Sequence, residues 1–150
     1  MKQITLGLLA ASVLLGAAGP VDIYSAKDLQ VMEAKLAETH PSFKSQALKN
    51  YGNHYSMLAY REATGSSELH EHEADILVFE EGEGTIITGG KMVDAHTEKP
   101  GEIRGKSISG GERHPFGPGC VIHVPAGVPH QVVLEKGKKV AYFVVKVTGQ

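Results

Sequence analysis

Beyond His54 the chain is a succession of short, β-rich apolar runs, each cut off by glycine or proline. Ile76–Phe79 stops at the acid-and-glycine stretch from Glu80 to Gly84, and Thr85–Thr88 stops at Gly89-Gly90. Ile103–Ser109, Cys120–Val124, Gln131–Leu134 and Val140–Val147 follow, with turn residues between most of them. No such run is long enough for a helix that buries one face, whereas strands need only four to eight residues. The pattern therefore predicts an all-β barrel or sandwich, and the 18 glycines among 150 residues are its turns. The interval from Lys91 to Gly101 is less regular and is expected to be an excursion between strands. With 41% hydrophobic residues the chain can bury a core, and its length suits one domain.

The segment before His54 reads differently. Leu29, Met32 and Leu36 share one face at helical spacing, so a helix is predicted over Ala26–Thr39. Ser25 and Asp28 form a capping-box pattern at its start, and Pro41 ends it. Its expected role is an amphipathic lid. Further upstream, Met1-Lys2 precedes an uncharged apolar run from Ile4 to Leu15 and then Gly16-Ala-Ala-Gly-Pro20. A charged start, a short apolar stretch and small residues make a secretory signal peptide, and the run is too short for a membrane span. The expected organisation is a signal peptide over 1–18, an N-terminal helical extension over 19–53 and a β-barrel over 54–150. Export to the periplasm or beyond follows, with no membrane span after cleavage. The one cysteine, Cys120, excludes an intrachain disulfide and reads as a small buried hydrophobe. Fifteen Lys+Arg against 17 Asp+Glu argues against a nucleic-acid partner.

Eight histidines are the chain's supply of metal ligands or proton carriers. In a strand, residues i and i+2 face the same way, so His70 and His72 are expected to converge while Glu71 and Glu73 face away. Asp75 sits at an odd offset and joins them only if a turn near Ala74 reverses the facing. A second segment, Gly119-Cys-Val-Ile-His-Val-Pro125-Ala-Gly127-Val-Pro129-His130, reads as strand, tight turn, strand. Pro129 limits where His130 can point.

Together these segments resemble the two motifs of the cupin superfamily. Gly65, His70, His72, Asp75 and Gly82 stand for the first motif, and Pro125, Gly127 and His130 for the start of the second. The resemblance covers roughly residues 54–147. It departs from the pattern in carrying Asp75 instead of glutamate, with only Glu73 and Ala74 between it and His72, and Leu134 where the family has asparagine. The resemblance implies a jelly-roll β-barrel with one divalent transition metal inside it, held by His70, His72, Asp75 and His130. Iron, manganese, nickel, copper and zinc all suit such a donor set. Taken with the signal peptide, it implies an exported protein that binds or transforms a small organic molecule, of oxygenase or isomerase type if it is an enzyme. The alternative is a non-catalytic module holding a metal or a small ligand, because no separate acid, base or nucleophile stands out. A homodimer is among the assemblies left open.

The other residues have plainer expectations. His123 is expected to be partly buried and hydrogen-bonded, and His40, His54, His96 and His114 to be solvated. Glu71, Glu73, Glu80, Glu81 and Glu83 form an acidic outer face, and Arg104 makes a rim salt bridge. The cavity is expected to be apolar, lined from Tyr55, Met57, Ile76, Val78, Val121, Val132, Tyr142 or Val144, or their alternate-face neighbours.

Overall fold

A computed structural model describes Gly19 and residues 21–150, so the proposed signal segment lies outside the described residues. Helix α1 (Ala26–Ala37) comes first, then β1 (Phe43–Asn50), β2 (His54–Arg61), β3 (Ser67–His70) and β4 (Glu73–Glu81). Next come β5 (Gly84–Thr88), β6 (Lys91–Val93), β7 (His96–Lys99), β8 (Glu102–Gly105) and β9 (Ser107–Ser109). The chain closes with β10 (Glu112–Phe116), β11 (Val121–Val124), β12 (His130–Val133) and β13 (Val140–Thr148). One sheet runs β1-β2-β13-β4-β11, a second runs β10-β5-β12-β3-β8-β7, and β6 pairs with β9. Every pairing is antiparallel.

The core is the space between the two large sheets. Leu77, Phe79, Val140, Tyr142 and Val144 from the first meet Ile86, Phe116 and Val132 from the second. Phe79 is fully buried and stacks on Phe116 at 3.7 Å between ring centroids. Burial of each such side chain is worth about 1.5–3 kcal/mol. Turns at both ends keep the sheets in register. Gly82, at φ 82°, turns β4 into β5 so close to the Lys139 carbonyl that a Cβ there would stand 2.0 Å from its oxygen. Gly127, at φ 74°, lets the Pro125–Gly127 turn bring its amide to the His70 carbonyl, 2.7 Å away. That bond ties the chain entering β12 to the end of β3.

Helix α1 begins with the expected capping box: Asp28 N–H donates to Ser25 Oγ at 3.2 Å, and the Asp28 carboxylate accepts from Ser25 N at 3.0 Å. It ends at Ala37, two residues before the predicted Thr39, because the next turn opens into His40 at φ 45°. Leu29 and Leu36 pack on Leu58, Tyr60 and Ala141, so the lid covers the outer face of β2 and β13. This explains why alternation is weak along β2, whose residues from Leu58 onward are all buried.

The sheet also starts earlier than position 54. β1 lies within the region expected to be a helical extension and pairs with β2 along its length, with one irregularity at Ala47/Lys49. Its side chains are nearly all exposed, which hides the hydrophobic signal of a strand. The 91–101 interval contains β6 and β7, and the single run expected over Ile103–Ser109 is split at Lys106 between β8 and β9. No helix among the described residues is long and apolar enough to cross a membrane.

Candidate functional site

β3 ends at His70, and the chain bends through Glu71 and His72 before β4 begins. β3 and β4 belong to different sheets, so this bend carries the chain across the barrel edge. The i, i+2 rule fails across it. His70 is buried at 3% exposure, whereas His72 is exposed and lends only its backbone carbonyl, which accepts from the amides of Gly149 and Gln150. The same bend reverses the facing, so Asp75 is buried at 3% exposure and aims at His70. His130 opens β12, 5% exposed, with its ring 5.3 Å from that of His70. Of the four residues the resemblance proposes, His70, Asp75 and His130 come together and His72 does not.

Three residues not singled out from the sequence complete the cluster. Glu68 is two residues before His70 on the same face of β3, and its Oε2 lies 3.6 Å from His70 Nε2. Glu102 on β8 pairs with His70 across the sheet and brings Oε1 to 2.9 Å from Nδ1. That is ion-pair distance but off the line of a hydrogen bond, so His70 Nδ1 has no hydrogen-bond partner among the described residues. Lys146 on β13 places Nζ 2.6 Å from His70 Nε2 and 2.7 and 2.8 Å from the two Asp75 oxygens. Its signal was in the sequence: a lysine inside the apolar run Val140–Val147, at even spacing from Tyr142 and Val144. Glu68 likewise shares a strand face with His70. Nothing local marks Glu102.

Arginines surround the carboxylates. Arg104 contacts Glu68 and lies 3.0 Å from Glu98 and 3.3 Å from Glu102, the expected rim salt bridge extended inward. Arg61, 3% exposed, stands 4.0 Å from Glu68 and donates to Tyr142 Oη at 3.1 Å. Burial disfavours the Glu68 charge, but the neighbouring His70 imidazole and the Arg104 guanidinium outweigh it and hold its pKa well below the usual range. Burial likewise opposes ionised Asp75, yet the nearby His130 and His70 imidazoles and the charge of Lys146 keep its pKa strongly depressed. For His70, burial pulls the pKa down, and the Asp75 and Glu68 carboxylates overcome it and raise it to about 9. Only one proton fits between His70 Nε2 and Lys146 Nζ.

His130 Nδ1 lies 3.1 Å from the Val128 carbonyl, which can only accept, so Nδ1 carries the proton and Nε2 offers its lone pair. That Nε2 is 3.5 Å from Asp75 Oδ2, which is itself 3.4 Å from His70 Nε2. Donors about 2.1 Å from a shared tetrahedral centre stand about 3.4 Å apart. Glu68, His70 and His130 offer donor atoms within 4.8 Å of one another, as do His70, Glu73 and Glu102. The donor set and its spacing thus fit a divalent metal.

The cluster borders an interior cavity of about 60 Å³, lined by Met57, Leu77, Val132, Tyr142 and Val144 beside Arg61 and Lys146. Four of these apolar residues are among those expected. Leu77 takes the place of its neighbours Ile76 and Val78, and Val121 faces solvent at 62% exposure. The volume is less than half of the ~150 Å³ that admits a benzene-sized guest, so this space takes only a few heavy atoms. His123 is exposed, contrary to the expectation of partial burial, because the buried face of β11 is that of Val124. His40, His96 and His114 are exposed and His54 is half-buried. Glu71, Glu80, Glu81 and Glu83 are exposed, while Glu73 is partly buried and accepts from Tyr55 Oη at 3.1 Å. Cys120 is a free thiol packed against the core.

No family model matches the chain, and no curated protein matches it in sequence. Solved structures do match. The cupin domain of Cnp3 from Schizosaccharomyces pombe superposes with a TM-score of 0.54 at 11% identity, over 72% of this chain and 66% of that one. The chain therefore spans just under two-thirds of that domain. The TT1209 protein of Thermus thermophilus gives 0.55 at 19% identity, over 77% and 92%. A predicted oxalate decarboxylase of Thermotoga maritima gives 0.52 at 13%, over 71% and 80%.

Proposed function

The chain folds as a cupin barrel, and from that premise we propose that it binds a small organic molecule beside one divalent metal inside the barrel. The observation that carries this reading is the meeting of Glu68, His70 and His130 at the wall of a buried cavity. Asp75 stands within reach as a fourth donor. Two histidines and a carboxylate with open positions are the donor set of non-haem iron(II) sites, and manganese, nickel, copper or zinc also suit it. When bound, such an ion supplies Lewis acidity or, if redox-active, dioxygen chemistry.

The chain's own residues do the rest. The Val128 carbonyl fixes the His130 tautomer, and the Glu102 carboxylate stands 2.9 Å from His70 Nδ1. Arg61 lines the cavity, and its buried Nη1 has no hydrogen-bond partner among the described residues, so its guanidinium supports binding of a small anionic group there. Met57, Leu77, Val132 and Val144 give the cavity an apolar wall. If the bound molecule is turned over, the reaction is of oxygenase or isomerase type; the alternative is a non-catalytic module using the same cavity. The signal-like segment at 1–18 supports export, to the periplasm or outside the cell.

The test is metal content after incubation with excess Fe2+, Mn2+, Ni2+, Cu2+ or Zn2+ followed by desalting. About one equivalent is expected in the native protein and much less in His130→Ala. Equal content in both overturns the assignment.

A further inference from the structure

Lys146 contacts the same atoms that a metal needs. Its Nζ is 2.6 Å from His70 Nε2 and within 2.8 Å of both Asp75 oxygens. The arginines engage carboxylates only: Arg61 stands 4.0 Å from Glu68, and Arg104 engages Glu68, Glu98 and Glu102 from the rim, whereas Lys146 also meets a histidine nitrogen. An ammonium is a compact point charge with three donors, and here two donor groups already surround it. A divalent ion bound by His70 and Asp75 would lie within about 3 Å of that ammonium, where two like charges in a buried site repel strongly.

We propose that Lys146 is a tethered cation that competes with the divalent metal for His70 and Asp75, and so sets the metal affinity of the barrel. The inference rests on the reading that Glu68, His70 and His130 form the metal site. Charge supports it. The Lys146 ammonium already supplies positive charge to Asp75, so a divalent ion there adds like charge beside it. Removing the lysine charge removes that repulsion and leaves the nitrogen donors in place. Lys146 and Val144 both line the cavity, and the four-carbon stem of the lysine gives its ammonium rotatable bonds by which to leave His70.

The experiment is a calorimetric Zn2+ titration of the full chain and of Lys146→Met, Lys146→Gln and Lys146→Arg. Melting curves check each fold. Met and Gln variants are expected to bind one Zn2+ at least tenfold more tightly than the native chain, and the Arg variant to stay within a few-fold of it. Adding His130→Ala to Lys146→Gln is expected to abolish the gain. Should Lys146→Met fail to fold because Asp75 loses its partner, Lys146→Gln decides, since its amide still donates to that carboxylate. Equal Zn2+ affinity in the native, Met and Gln proteins overturns the competition and leaves the metal site standing. No uptake by any of the four overturns the metal site, and the competition with it.

Discussion

The Lys146 ammonium lies 2.7 Å from Asp75 Oδ1 with both side chains buried, which joins β13 to the start of β4 inside the barrel. The contact links stability and site chemistry, because the same two groups enclose His70.

Asp75→Asn should therefore cost about 3–5 kcal/mol, the usual penalty for leaving one member of a buried pair without its partner. The sign with pH follows from the depressed pKa of Asp75. Its contribution is complete above the ordinary carboxylate value near 4 and is lost as pH falls toward the folded value. Denaturant midpoints of the native protein should fall steeply below about pH 4, and those of Asp75→Asn should change much less there.

Glu33 behaves in the opposite sense. It lies on α1 at 5% exposure, and one of its oxygens has no hydrogen-bond partner among the described residues. Burial, and then the charges of Glu81 and Glu80, raise its pKa. Below pH 4 the carboxyl is protonated in both states and costs nothing. As pH rises the unfolded chain ionises first, so the folded state loses stability. Glu33→Gln should raise the melting temperature by about 2 °C at pH 7 and leave it unchanged at pH 4.

Phe79 is the centre of the apolar half of the barrel, stacked on Phe116 and tilted against Tyr142. Phe79→Ala should destabilise by about 3–5 kcal/mol in urea denaturation. Because Tyr142 also accepts from Arg61 Nε, the cavity wall should loosen with it.

The barrel was legible because its turns are written in glycine and proline and its inner strands in β-branched residues. β1 was not, because an exposed edge strand carries no apolar alternation. His130 and Asp75 were legible from the motif spacing. His72 was misplaced because strand periodicity holds only within one strand, and the chain changes sheets between His70 and Glu73. Lys146 and Glu68 share strand faces with Tyr142 and His70 at even spacing, so the period-2 pattern alone marks both. Glu102 reaches His70 only through cross-strand pairing of β3 with β8, and no local pattern in one sequence reveals that register.

The central claim is that His70 and His130, and not His72, are the metal-binding histidines. The most direct test is the set of imidazole nitrogen resonances, assigned by single-histidine variants, recorded with and without one equivalent of Zn2+. The account predicts that Nε2 of His70 and of His130 shift together with the metal, while His72 and the other exposed histidines stay in place. Movement of His72 with His130 unmoved would contradict it.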